Sequence, residues 1–126
     1  CRACIDACPT DAIIDNKVID SNKCISYLTI ELKEQIPSSF KDKMEGWAFG
    51  CDICQDVCPW NRFSTPNKEK QFQSHPKLKE LHKNEWTELT EEVFKDVFKK
   101  SALKRAGYMK FSNNLTCTKN VDKNSL

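Results

Sequence analysis

Eight cysteines occur in this sequence, and six of them fall in two runs of one form, Cys1-x2-Cys4-x3-Cys8-Pro9 and Cys51-x2-Cys54-x3-Cys58-Pro59. Thiolates at this spacing are ligands for iron–sulfur cubanes. A short loop wraps the corners of one cubane, and the three-residue step carries the last sulfur across to a neighbouring one. The proline that follows closes the loop without leaving an amide hydrogen to satisfy. The complete pattern is C-x2-C-x2-C-x3-C-P, so each run lacks one short-spaced cysteine. Crossing the last cysteines assigns Cys1, Cys4 and Cys58 to a first [4Fe-4S] cluster, with a fourth ligand expected upstream of Cys1. The second cluster takes Cys8, Cys51 and Cys54, and the isolated Cys24 fills its gap. Cys117 stands far downstream in a polar stretch with no second ligand nearby, and is read as a bystander thiol. The sequence opens on Cys1 without an initiator Met, and it is expected to be cut from a longer protein.

Short elements must hold these ligands. Ala12-Ile13-Ile14 and Val18-Ile19, separated by Asp15-Asn16-Lys17, predict a hairpin that keeps water from the sulfurs. Ile25, Leu28 and Leu32 recur at helical spacing after Cys24, Pro37 interrupts, and a second short helix is expected from Ser38 or Ser39. Ser26 and Tyr27 read by default as capping and packing groups beside a ligand. Trp47-Ala48-Phe49-Gly50 leads into Cys51, where the aromatics read as a shield and the glycine allows close approach of the backbone. From Trp60 the chain leaves for a polar linker. His75 and His82, the only histidines, have no partner at metal spacing and are assigned no chemistry.

Thr90 is a good N-cap for a helix beginning Glu91-Glu92, with Val93, Phe94, Val97 and Phe98 on one apolar face. Six cations follow (Lys95, Lys99, Lys100, Lys104, Arg105 and Lys110) against the single acid Asp96. A solvated helix end with dipole-favoured cations and a phosphate-contact surface both account for them, and composition does not choose. Beyond Asn113 the chain is polar and expected to fray.

Bulk composition narrows the class. The 126 residues are 39% hydrophobic and 30% charged, which excludes a disordered chain, and no apolar run approaches the length of a membrane span. Cysteines at metal spacing favour ligation over a disulfide framework, and with it a reducing, cytoplasmic setting. The net charge of +2 conceals an asymmetry. Residues 1–60 carry six Lys/Arg against ten Asp/Glu, whereas residues 61–126 carry fourteen against eight. The basic half is the candidate for a polyanion. The expected fold is α+β: a ferredoxin-like two-[4Fe-4S] core over residues 1–62, a linker at 63–84, and a small basic α-helical extension at 85–126 with a frayed tail.

Four stretches in order, Cys1 to Ala12, Cys24-Ile25-Ser26-Tyr27-Leu28-Thr29-Ile30-Glu31, Phe49 to Asn61, and Ser101-Ala102-Leu103-Lys104-Arg105, closely resemble the epoxyqueuosine reductases. The resemblance spans roughly residues 1–110. It implies a cobalamin-dependent iron–sulfur oxidoreductase that reduces epoxyqueuosine to queuosine at the wobble position of tRNA, with clusters feeding electrons to the corrinoid. Carried over by position, it puts Ser26, Cys51 and Asp52 near the cobalamin and the Lys104-Arg105 region near tRNA, and Lys99 and Lys100 of the basic stretch join these two as candidate nucleic-acid contacts. The catalytic acid and most of the cobalamin site are expected before Cys1, so no catalytic residue is assigned here. An electron donor of unknown identity, a monomer and no membrane complete the expectation. Two rivals remain: a generic two-cluster electron carrier or redox-complex subunit, and a zinc module, since paired C-x2-C sets also build four-cysteine zinc sites. The x3-C-P endings count against zinc. The reductive dehalogenases also pair a corrinoid with two clusters, but the C-I-S-Y-L-T-I-E run and S-A-L-K-R favour the tRNA enzymes.

Overall fold

A computed structural model of the chain describes residues 1–15, 18–81 and 85–118. The architecture is mixed: short helices around one small sheet. In chain order the elements are α1 (Ala3–Asp6), β1 (Ile13–Ile14), β2 (Val18–Ile19), α2 (Ile25–Ile30), α3 (Ile53–Asp56), α4 (Pro76–Glu80), α5 (Glu91–Val97), α6 (Leu103–Ala106) and α7 (Tyr108–Thr118), with 3-10 turns between several of them.

The hairpin forms where the alternation of apolar and turn residues predicts it. Ile13 pairs with Ile19 and Ile14 with Val18 in antiparallel register. The bond from Asp20 N–H to Ala12 O, at 2.9 Å, extends the ladder inward. Ala12 and Thr10 are buried beneath it, whereas Ile14, Val18 and Ile19 face outward. Asn16, Lys17 and His82 lie outside the described residues. The helix read after Cys24 is α2, and the short helix expected from Ser38 is a 3-10 turn over Ser38–Lys43.

Two apolar clusters make the core. Ile25 and Leu28 of α2 meet Ile36, Met44 and Cys117 in the first. The second is aromatic: Phe94, Phe98 and Phe111 stand with ring centroids 4.9 to 5.7 Å apart, with Trp86 and Tyr108 against them. Each such buried ring contributes about 2 kcal/mol by removal from water, and the tilted pairs add to it. Helix α7 joins the clusters, because it sends Phe111 into the second and Cys117 into the first.

Thr90 caps α5 as its sequence predicts, accepting from Val93 N–H at 3.4 Å. Phe94, Val97 and Phe98 are buried, but Val93 is 37% exposed, so the apolar face is narrower than its periodicity implies. Two stretches carry more secondary structure than the sequence implies. The linker at 63–84 contains a 3-10 turn at Lys70–Phe72 and helix α4, whose N-cap is His75, with Nδ1 accepting from Lys77 N–H at 3.3 Å. The tail expected to fray past Asn113 is helical to Thr118. Burial of Asn114 and Cys117 supplies contacts that a polar composition conceals.

Candidate iron–sulfur centre

The two cysteine runs adopt one backbone conformation, displaced by fifty positions. Arg2 and Asp52 cap the helices with φ −117° and −114°, and Ala7 and Val57 end them with φ −89° and −82°. The hydrogen bonds repeat as well. Ile5 and Gln55 N–H donate to the cap carbonyls of Arg2 and Asp52 at 2.8 Å each, and Cys8 and Cys58 N–H donate to Ile5 and Gln55 at 3.3 and 3.1 Å. Asp11 and Asn61 N–H then close the turns on the carbonyls of Cys8 and Cys58 at 3.2 and 3.0 Å. In the second loop the Asn61 side chain adds a bond to Gln55 O at 2.5 Å. Helices α1 and α3, which present Cys4 and Cys54, pack against each other. The sequence pattern is thus a structural duplication, with the loops side by side.

All eight cysteines are free thiols. Burial pushes the Cys51 thiol above its ordinary range, and the neighbouring Cys24, Cys54 and Cys8 push it further. Cys54 is likewise raised, by burial first and then by Cys24, Cys4 and Cys8. Like charges so gathered repel unless a cation centre sits among them, which fits an iron–sulfur cluster. Cys8 behaves differently. Burial alone would raise it, but the Thr10 hydroxyl at 3.6 Å and the amides of Thr10, Ala12 and Ile13 bring it below its ordinary value. Its sulfur accepts from Ala12 N–H at 3.3 Å, the kind of hydrogen bond that favours thiolate and tunes a cluster. Cys117 is buried in the first apolar cluster, in keeping with a bystander thiol.

A buried polar network joins two of the cysteine-bearing segments. Thr29, fully buried on α2, donates its hydroxyl to Ile25 O at 2.7 Å and accepts from Gly50 N–H at 3.0 Å. Gly50 has φ +75°, the left-handed region where a side chain is strained, and it directly precedes Cys51. Asn114 of α7, only 2% exposed, donates to Thr29 O and Ala48 O at 2.9 Å each. Lys110, one turn earlier, donates to Leu28 O at 3.0 Å and to Leu32 O, so it closes the carbonyl end of α2. The sequence alone singles out neither Thr29 nor Asn114, and it marks Lys110 only as one of six cations. The placement of Thr29 within the C-I-S-Y-L-T run is the one hint of this network.

The remaining candidates separate clearly. Ser26 is half-buried in the first turn of α2, and Asp52 is exposed at the cap of α3. Neither side chain has a hydrogen-bond or ion-pair partner among the described residues, so both retain capacity for a ligand beside Cys24 and Cys51. The basic stretch is divided among α5, the turn that follows it, α6 and α7. Lys95 pairs with Glu91 at 2.8 Å, Arg105 with Glu31, and Lys110 is spent on α2. Lys99, Lys100 and Lys104 are exposed and form no ion pair among the described residues, and Lys99 and Lys104 line a cavity of about 640 Å³ with Phe94, Phe98 and Tyr108.

Residues 1–61 match the family described as a 4Fe-4S double cluster binding domain. Duplicated cysteine loops and that match mark residues 1–61 as similar to domains that bind two 4Fe-4S clusters. An epoxyqueuosine reductase from Cyclobacterium marinum is 60% identical over 120 residues, which covers 95% of this chain and 38% of that relative. The solved structure of epoxyqueuosine reductase from Bacillus subtilis superposes with a TM-score of 0.82 at 27% identity, covering 94% of this chain and 32% of that one. Another, solved with an epoxyqueuosine-modified tRNA stem loop, also gives 0.82 at 27% identity over 94% of this chain and 31% of that one. Along almost its whole length the chain is similar to epoxyqueuosine reductases, and it spans a little over a third of the length of the curated relatives it matches. No helix among the described residues is long and apolar enough to cross a membrane.

Proposed function

We propose that this chain is the iron–sulfur portion of an epoxyqueuosine reductase, relaying electrons to cobalamin for the reduction of epoxyqueuosine to queuosine in tRNA. The observation that carries the reading is the repeated loop conformation of the two cysteine runs, whose helices α1 and α3 pack together with Cys8 and Cys24 near enough to Cys51 and Cys54 to raise both thiols. These thiols come from three segments and include the crossing cysteine of the first run. In this reading they bind the second [4Fe-4S] cluster, and Cys1, Cys4 and Cys58 bind the first with a ligand from outside the chain. The unit is a ferredoxin-like core over residues 1–62, joined through 63–84 to a basic extension at 85–126. When bound, the clusters supply one-electron transfer and the corrinoid supplies the reducing centre at the epoxide.

The chain's own residues hold and tune. The Ala12 amide and Thr10 hydroxyl support the Cys8 thiolate, and Trp47, packed on the first apolar cluster, helps keep that side of the site dry. Ser26, Asp52 and the Cys51 backbone form the wall nearest the corrinoid. Lys99, Lys100 and Lys104, with Arg105 once drawn from Glu31, meet the phosphates of the stem loop, a partner supported by the relative solved with such a stem loop. The protein works as a cytoplasmic monomer and takes electrons from a separate donor. The test is the intact protein with Cys8 and Cys58 both replaced by Ala, supplied with a low-potential donor. Loss of epoxyqueuosine reduction with tRNA binding retained is expected, and reduction at the wild-type rate refutes the relay.

A further inference from the structure

We infer that Thr29 and Asn114 are positioning residues for the second cluster: together they fix the loop that presents Cys51 against the helix that starts at Cys24. The inference rests on the reading that Cys24 and Cys51 share a cluster. A cubane tolerates little change in the separation of its ligand sulfurs, so the two segments must be locked to each other before metal arrives. Cys24 is the N-cap of α2, and Thr29 lies five residues on in the same helix. The Thr29 hydroxyl holds Gly50 N–H at 3.0 Å, and at φ +75° that peptide sets the direction in which Cys51 leaves.

A single bond would let the loop pivot. Asn114 removes that freedom, because one amide group reaches both Thr29 O and Ala48 O at 2.9 Å. The loop is thus tied at residues 48 and 50 to one residue of α2. The Thr29 hydroxyl directs its proton toward Ile25 O at 2.7 Å, with Ser26 O a longer second acceptor at 3.2 Å, and meets Gly50 N–H as an acceptor. Both residues are buried, with no unsatisfied polar side-chain atom among the described buried residues. Neither makes a hydrogen bond with a sulfur, so they act through the backbone.

The test uses the intact, cluster-loaded protein and compares Thr29→Val, Thr29→Ser and Asn114→Ala. Thr29→Val keeps the shape of the side chain and removes the acceptor, whereas Thr29→Ser keeps the hydroxyl. EPR-monitored redox titration and iron release to a chelator are the readouts. Thr29→Val and Asn114→Ala are expected to shift the spectrum and midpoint potential of one cluster and leave the other unchanged. Iron release from that cluster should quicken roughly tenfold, as loss of a buried hydrogen bond implies. Thr29→Ser should restore wild-type behaviour. Lower thermal stability with both potentials and release rates unchanged overturns the inference. So does joint loss of both clusters with the helical circular dichroism. Cys24→Ser separates the underlying reading: if it retains both clusters, the ligand assignment fails, and if it loses one while Thr29→Val is silent, only the positioning role fails.

Discussion

Replacing Lys110 by Met is expected to cost about 2 kcal/mol of stability. The ammonium donates to Leu28 O at 3.0 Å and to Leu32 O, the carbonyls that a helix leaves open at its C-terminal end. Hydrogen bonds from a charged donor are worth about 1.5–3 kcal/mol each, and a cation at this end of a helix adds up to about 1 kcal/mol. Desolvation takes part of that back. Burial lowers the Lys110 pKa below its ordinary 10.5, against smaller opposing effects of Glu34 and Cys117. Met fills the same space but leaves two carbonyls unpaired, hence the net figure. For a chain of this size about 2 kcal/mol corresponds to a fall in Tm of roughly 8 °C, read by far-UV circular dichroism on the cluster-loaded protein. The pH dependence supplies a second check. With the folded pKa below 10.5, the unfolded chain holds more protons between the two values, so a further increment adds to the neutral-pH contribution of Lys110 as pH rises from the folded value toward 10.5, and that increment disappears as pH falls back through the folded value. The stability gap between wild type and Lys110→Met should therefore widen on the alkaline side. A change within about 0.5 kcal/mol, or a gap that narrows with rising pH, refutes the reasoning.

Gly50→Ala meets nothing within 4 Å of the new methyl, so its cost is the left-handed backbone alone, about 1–2 kcal/mol by urea unfolding. Changing Lys99, Lys100 and Lys104 together to Ala should weaken binding of an epoxyqueuosine stem loop and lower the slope of log affinity against log salt by about one for each phosphate left without its cation. An unchanged slope returns those lysines to a solvated face. Cys117→Ser should leave iron content and EPR spectra unchanged while destabilising the chain by about 1–2 kcal/mol, because a hydroxyl enters an apolar cluster.

What the sequence disclosed was local. The x2 and x3 spacings, the hairpin pair Ile13–Ile14 and Val18–Ile19, the Thr90 cap and the spacing of Ile25 and Leu28 are short-range signals, and each reappears as an element or a repeated loop. What stayed hidden depends on partners far apart in the chain. Asn114 lies 85 residues from Thr29 and Lys110 lies 82 from Leu28, so a polar stretch and a cationic stretch gave no sign that both are committed to α2. The same distance effect conceals the order of the tail: Cys117 and Asn114 sit in a polar stretch yet are buried by contact. Arg105 is legible as a cation, but its pairing with Glu31 is not.

The most direct measurement is the iron, zinc and acid-labile sulfide content of the anaerobically purified protein, with its absorption spectrum. The account predicts a brown protein with about eight irons and matching sulfide when every ligand is present. About two zincs without sulfide would contradict it and remove the relay, the corrinoid partner and the reductase assignment together.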